Sequence, residues 1–419
     1  MRKRILIVLA FTLSFLHTSI IDAKSGHLFN ISATGAPTSL NINLCLNGKG
    51  PLSCQNYSIS ALTLSIKTTI PNHTYSFAGI KINTPGYTIQ GCTPYHTGYC
   101  LFSISNNKAA NLIASDSVYK LVTVGNPGNK KDGTGFGAVN YRYKIGKYHV
   151  TIQQYAEFLN TVAKTDTYGL YNSKMGTNLN SAGINRSGSS GNFTYKVMHN
   201  SGNSANCPIT YVTWFNAARF ANWMANGQPH GSQNSSTTEN GAYVLNGAIN
   251  GPAAAKNSIN PNTGAGPTYY IPLENEWYKA AYYNPKLNRG TGGYYSYATQ
   301  SNTAPGNSIG NKLNQANYFI ANGVGFAVTQ SLFFAYGTQN YLTDVGAFTG
   351  SPSFYGTYDQ NGNVDQWNDL DGLPSLYRGL RGGFYFAGST PMSSTLFAKS
   401  VATNSYNGGG FRLASPFKK

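Results

Sequence analysis

The chain has 419 residues, room for two or three domains that each bury a core of their own. Its formal charge is +17, yet only 10% of residues are charged, so the excess reflects scarce acids, 13 in all, more than dense basic patches. Scattered Lys and Arg argue against a nucleic-acid track, which needs a clustered basic face, and favour a loose attraction to anionic surfaces.

Met1-Arg2-Lys3-Arg4 followed by the apolar run Ile5 to Leu16, with Ala23 before Lys24, predicts a cleaved leader over residues 1–23. The run is short for a membrane span, and no later stretch approaches that length, so the mature chain is expected to be secreted or periplasmic with no transmembrane segment. Losing three positive residues and one negative with the leader leaves +15.

Residues 24–125 predict an all-β, sandwich-like domain. Polar and apolar residues alternate in Leu40 to Leu44, Ala61 to Ile66 and Lys81 to Ile89, with Asn, Gly and Pro between the runs. Four of the five cysteines fall here in two close pairs. In an exported chain Cys45–Cys54 and Cys92–Cys100 are the expected disulfides, since spacings of nine and eight do not suit a zinc knuckle. Cys207 is left over, either a buried small residue or a reactive thiol.

Residues 126–136 lie in a Gly/Asn/Lys stretch that predicts a linker. Beyond it, aromatic-rich segments alternate with long Gly/Asn/Ser loops, 172–192, 226–266 and 301–314, which predicts an irregular fold with many ordered loops. Three helices are legible. Thr151 and Gln154 form a capping box ahead of Tyr155, Phe158, Leu159 and Val162; Thr213 caps a second helix; Pro272 starts a third, with Glu274 and Glu276 at its positive end. Trp223 and Trp277 are expected in the core, and Glu274 and Glu276 are expected to point apart.

Seven segments in order carry a resemblance: Tyr148 to Thr151 with Tyr155 to Asn160; Pro208 with Val212-Thr213-Trp214 and Asn222-Trp223; Ile271 to Trp277 with Ala280-Ala281; Val345 to Phe348; Gly356 to Trp367; Arg381-Gly382-Gly383; and Gly410-Phe411-Arg412. Together they resemble the sulfatase-modifying factor family, the formylglycine-generating enzyme and its relatives, over residues 137–416. The resemblance implies a C-type lectin-like α+β fold after the β domain.

It also implies structural calcium. The carried-over ligands are Asp359, Gly362 and Val364 (both by carbonyl) and Gln366, with a second site starting at Asn317 and Tyr318. From the residues alone, Asp359, Asp365, Asp369 and Asp371 place four acids within 13 residues; such crowding suits either a hard cation or a set of turn and cap aspartates. Gln366 stands where the family has Glu, which removes a charge, and the second site's Asp has no clear counterpart.

The family's oxidase holds copper(I) between two cysteines that lie between its RGG and GFR motifs, as soft thiolates require. This chain has no cysteine there, and neither cysteine nor histidine from Gly231 to its end. Met392 is the one sulfur between Arg381 and Arg412, so copper is not expected. Three histidines fall in the domain without ligand spacing, and His149 is expected at a solvent edge or hydrogen-bonded. The reading is therefore an exported binding or surface-interaction module for a glycan, a protein or an anionic surface. An atypical metal-dependent oxidase or protein modifier is the alternative. The 31 tyrosines suit sugar stacking, and equally suit an ordinary low-charge β-rich protein.

Overall fold

The computed structural model describes residues 119–417 in full and, ahead of them, only the backbone of strands between Ile5 and Ala114. The chain divides into two compact units, Met1–Tyr119 and Lys120–Lys419.

The described strands of the first unit are β1 (Ile5–Thr12), β2 (His27–Ala33), β3 (Leu40–Asn47), β4 (Ser53–Ile59), β5 (Thr63–Thr68), β6 (Phe77–Ile82), β7 (Thr93–Tyr95), β8 (Tyr99–Ser103) and β9 (Ala110–Ala114). They form two antiparallel sheets, ordered β5-β2-β1-β9 and β4-β3-β6-β8-β7. β1 falls within the expected leader. The β3–β4 register sets Cys45 directly opposite Cys54. The side chains of Cys45, Cys54, Cys92 and Cys100 lie outside the described residues.

The second unit mixes few helices with small sheets. α1 (Ile152–Val162), the short turn α2 (Lys174–Thr177), α3 (Trp214–Ala225) and α4 (Glu274–Tyr282) include all three helices legible in the sequence. β10 (Leu121–Val124), β11 (Tyr143–Gly146), a β12–β13 hairpin (Ile184–Ser187, Thr194–Val197) and the two-residue pairs β14–β15 (Tyr283–Asn284, Gly293–Tyr294) and β16–β17 (Phe319–Ile320, Gly325–Phe326) precede a sheet ordered β20-β19-β18-β21. That sheet comprises β18 (Asp365–Asn368), β19 (Tyr377–Arg381), β20 (Ala398–Val401) and β21 (Gly409–Phe411). The last strand, β22 (Ala414–Pro416), returns to pair with β11, which also pairs with β10.

Residues 126–136, read as a linker, fall within the second unit: Asn129 donates to the Gly137 carbonyl at 2.7 Å, and Asp132 accepts from the Tyr278 hydroxyl.

Local chemistry sets the helix starts. Thr151 accepts from the Gln154 backbone at 3.3 Å while Gln154 accepts from the Thr151 backbone at 3.0 Å; Thr213 and Asn216 repeat the exchange at 3.0 and 2.9 Å. The helices bury their aromatic faces on one another. Phe158, Phe220, Trp223, Tyr155 and Phe411 meet at ring separations of 5.2 to 6.5 Å. Each ring fully removed from water contributes about 1.5–3 kcal/mol.

The abundance of Asn has a physical reason as well. Asn222 donates to the carbonyls of Thr238 and Tyr243 and accepts from the Tyr243 backbone, and Asn226 donates to those of Thr237 and Asn240. Carboxamides with both donor and acceptor atoms satisfy loop backbone where no sheet does. No helix among the described residues is long and apolar enough to cross a membrane.

Candidate functional site

β19 ends in the sharp turn Arg381-Gly382-Gly383. Both glycines hold positive φ, +106° and +70°, and a Cβ at Gly382 would lie 2.8 Å from the Gln360 carbonyl oxygen. The turn delivers Phe384-Tyr385-Phe386 to the segment in which the resemblance placed thiolates. Tyr385 is fully buried, stacked on Tyr341 at 6.0 Å and 6°, with its hydroxyl accepting from Asn407 at 2.8 Å. Phe386 is 46% exposed. Met392 is fully buried against Ala316 and Tyr318, and its carbonyl accepts from Tyr282 and Asn361. The one sulfur between Arg381 and Arg412 is thus a core side chain.

Phe386 lies at the foot of an aromatic loop. It packs edge-on against Phe334 at 4.9 Å, and Phe334 stacks on Tyr341 at 4.9 Å. From this stack Leu332, Phe333 and Tyr336 project to solvent, 52%, 75% and 83% exposed. The loop is tied down even so. Asn180, buried, donates to the carbonyls of Ala335 and Gln339 at 2.9 Å each and accepts from the Gly337 backbone at 3.0 Å, while the Tyr341 hydroxyl accepts from the Ala335 backbone at 2.7 Å.

Beside the loop, Tyr211 holds φ +58°, a left-handed conformation uncommon for a large side chain. Its backbone N–H donates to the Tyr406 carbonyl at 3.1 Å and its hydroxyl meets Asn178. Sequence reading missed this surface. Asn180 sits far away in the chain inside a loop, and no periodicity marks it.

The residues expected to hold calcium are engaged in hydrogen bonds. Asp359 accepts from the Gly346 backbone at 2.6 Å. The Gln366 oxygen accepts from Trp277 at 2.8 Å and from Arg412 at 2.5 Å, and its amide donates to the Asp359 carbonyl at 3.0 Å. The Gly362 carbonyl accepts from the Val364 backbone, and the Tyr318 carbonyl from Asn307. The Asn317 amide donates to the Tyr341 carbonyl, the Thr343 hydroxyl and the Asn363 oxygen at 2.9, 3.4 and 3.1 Å. Two donors thus meet the Gln366 oxygen and the Asn317 amide presents its N–H groups, while Asp359 accepts the Gly346 bond through one of its two oxygens.

The acidic cluster likewise disperses. Asp365 accepts from Tyr406, Asp369 pairs with Arg378 at 2.7 Å, and Asp371 accepts from the Leu373 backbone. Burial pushes the Asp365 carboxyl up to about 6. Among the described residues no group of three His, Cys, Asp or Glu side chains could hold a metal.

Glu274 and Glu276 do point apart. Glu274 accepts from Arg381 at 2.7 Å, and Glu276 from Tyr270 at 2.7 Å and Tyr141 at 3.0 Å. Cys207 is buried, and Trp223 and Trp277 are in the core. His149 is not at a solvent edge: it is 1% exposed, and neither ring nitrogen has a partner in good hydrogen-bond geometry, the Val364 carbonyl being the backbone acceptor that faces it. Desolvation, then the Arg412 charge, hold its pKa well below the usual range, opposed by the Val364 carbonyl.

A model of the sulfatase-modifying factor enzyme 1-like domain matches residues 136–416, about two-thirds of the chain. Three solved structures are similar at low identity. The CarF crystal structure is 19% identical, covers 72% of this chain and all of its own, and has a TM-score of 0.40. Treponema denticola variable protein 1 is 14% identical, covers 80% of this chain and all of its own, with a TM-score of 0.39. PvdO from Pseudomonas aeruginosa is 15% identical, covers 71% of this chain and 92% of its own, with a TM-score of 0.33. No curated protein matches. The chain belongs to the sulfatase-modifying factor enzyme 1-like family.

Proposed function

We propose that this chain is an exported, non-oxidase member of the family that works as a binding or surface-interaction module, with glycan as the ligand class to test first. One observation carries the reading: large rings on the 332–336 loop face solvent while Asn180 and Tyr341 fix the backbone beneath them. Rings carried on a backbone fixed before binding lose less entropy when a ligand stacks on them than rings on a loop that must first be ordered. Phe384-Tyr385-Phe386 and a core methionine occupy the segment between Arg381 and Arg412, which supports the non-oxidase part. The opposed backbone positions of Cys45 and Cys54 suit the disulfide proposed for an exported chain. In this reading the 359–366 turn is closed by amide hydrogen bonds in place of calcium.

A glycan array read with and without chelator tests the proposal. Retained ligands should be lost in a Phe333→Ser/Tyr336→Ser variant whose melting temperature is unchanged. Silence across the array, or equal binding by the variant, would remove glycan binding at this surface.

A further inference from the structure

A second, chemically different recess lies away from the aromatic loop. It opens between the end of the β11–β22 ladder and the 256–270 loop, has a volume of about 290 Å³, and is lined among others by Tyr141, Arg142, Lys256, Tyr270 and Phe417. That is the lower end of the range for small-molecule sites, about 300 Å³.

Its two cations are held in position by rings. The Arg142 guanidinium sits 3.9 Å from the Phe417 ring centre and the Lys256 ammonium 4.0 Å from that of Tyr270. Neither makes a direct ion pair among the described residues, although the Lys256 charge also acts at longer range on Glu276 and Asp369, which leaves Arg142 as the less compensated of the two. Below them the hydroxyls of Tyr141 and Tyr270 both donate to Glu276 Oε1. Tyr141 is 43% exposed, and its oxygen keeps a lone pair able to accept from a ligand hydroxyl, whereas Tyr270 is 4% exposed and serves as the platform for Lys256. The Glu276 charge opposes an incoming anion, but it is buried beneath the phenols and also accepts from the Leu273 backbone at 2.8 Å. Asn257 and Ser258 add polar groups at the rim.

We propose that this recess binds an acidic sugar unit, its carboxylate drawn to Arg142 and Lys256 and a hydroxyl on Tyr141. Two fixed cations select the charge. The recess is larger than a bare inorganic anion needs, and the Tyr141 oxygen with Asn257 and Ser258 favours a polyol. The inference goes beyond the aromatic-loop reading and does not depend on it.

Titration calorimetry of the full chain with glucuronate, glucose and inorganic sulfate at low salt tests it. Glucuronate should bind, glucose and sulfate should bind at least about tenfold more weakly, and raised salt should weaken glucuronate. Arg142→Gln and Lys256→Gln should each weaken glucuronate about tenfold with melting temperature unchanged; Arg142 is exposed, so folding should survive its loss. Phe333→Ser should leave glucuronate binding intact, which separates this site from the aromatic loop. No glucuronate binding, sulfate binding as tight as glucuronate, or binding unchanged in the Arg142→Gln/Lys256→Gln variant would each overturn the proposal.

Discussion

Replacing Arg381 with Met should destabilise the second unit by about 3–5 kcal/mol, the range for leaving one partner of a buried ion pair behind. Arg381 is 2% exposed, and its Nε donates to Glu274 Oε1 at 2.7 Å. Its Nη1 serves the carbonyls of Ser394 and Leu396, and its guanidinium lies 4.9 to 5.2 Å from the ring centres of Phe136, Tyr278 and Phe397. After the change, Glu274 keeps its 2.6 Å bond from Asn368, while two carbonyls lose a donor. Burial already raises the Glu274 pKa and Arg381 opposes that rise, so its loss should push the folded-state pKa higher. A folded pKa above the unfolded value means the carboxyl costs stability as pH rises through it. The defect should therefore be larger at pH 8 than at pH 5.

All four tryptophans lie in the second unit, so urea unfolding followed by their fluorescence reads that unit alone. In a double-mutant cycle with Glu274→Leu, the double variant should lose less than the two singles together. A single loss under about 1 kcal/mol, or strict additivity, would show that Arg381 and Glu274 are not coupled in the folded state.

Three further expectations use the same fluorescence. Thr213→Ala should cost about 1 kcal/mol by removing the acceptor for the Asn216 backbone; no change would contradict the cap. His149 has a folded pKa below its unfolded value, so its contribution is present above pH about 6.5 and is lost as pH falls below that. Asp365, raised to about 6, acts with the opposite sign, so the comparison is His149→Leu against wild type. The variant should lose less stability between pH 6.5 and 5, and parallel profiles would contradict the buried neutral ring. Finally, the melting temperature should be the same in calcium and in chelator. A calcium-induced rise of several degrees, as expected of a site filled at a hundred times its Kd, would contradict the amide-closed turn.

What could be read from the sequence was what repeats locally or recurs as a motif. Thr151 and Thr213 announce helix starts because a cap needs only residues three apart, and the paired glycines after Arg381 announce a tight turn. Side-chain direction was harder. Asp359, Asp365, Asp369 and Asp371 are close in sequence, yet the chain there turns through Asp359 and Asn363 at positive φ and then enters β18, so the carboxylates separate. His149 misled because a histidine before a helix cap gives no sign that Arg412, far along the chain, will lie close to it. The aromatic loop was invisible for the same reason: its order comes from Asn180, a distant carboxamide.

The proposal that this chain keeps the family's scaffold without its thiolate chemistry is tested directly by one assay. The purified full chain, supplied with copper(I) and oxygen, is incubated with a cysteine-containing peptide, and aldehyde formation is followed with an aldehyde-reactive probe. The account predicts no aldehyde above a protein-free control. Catalytic conversion of the peptide cysteine would contradict it.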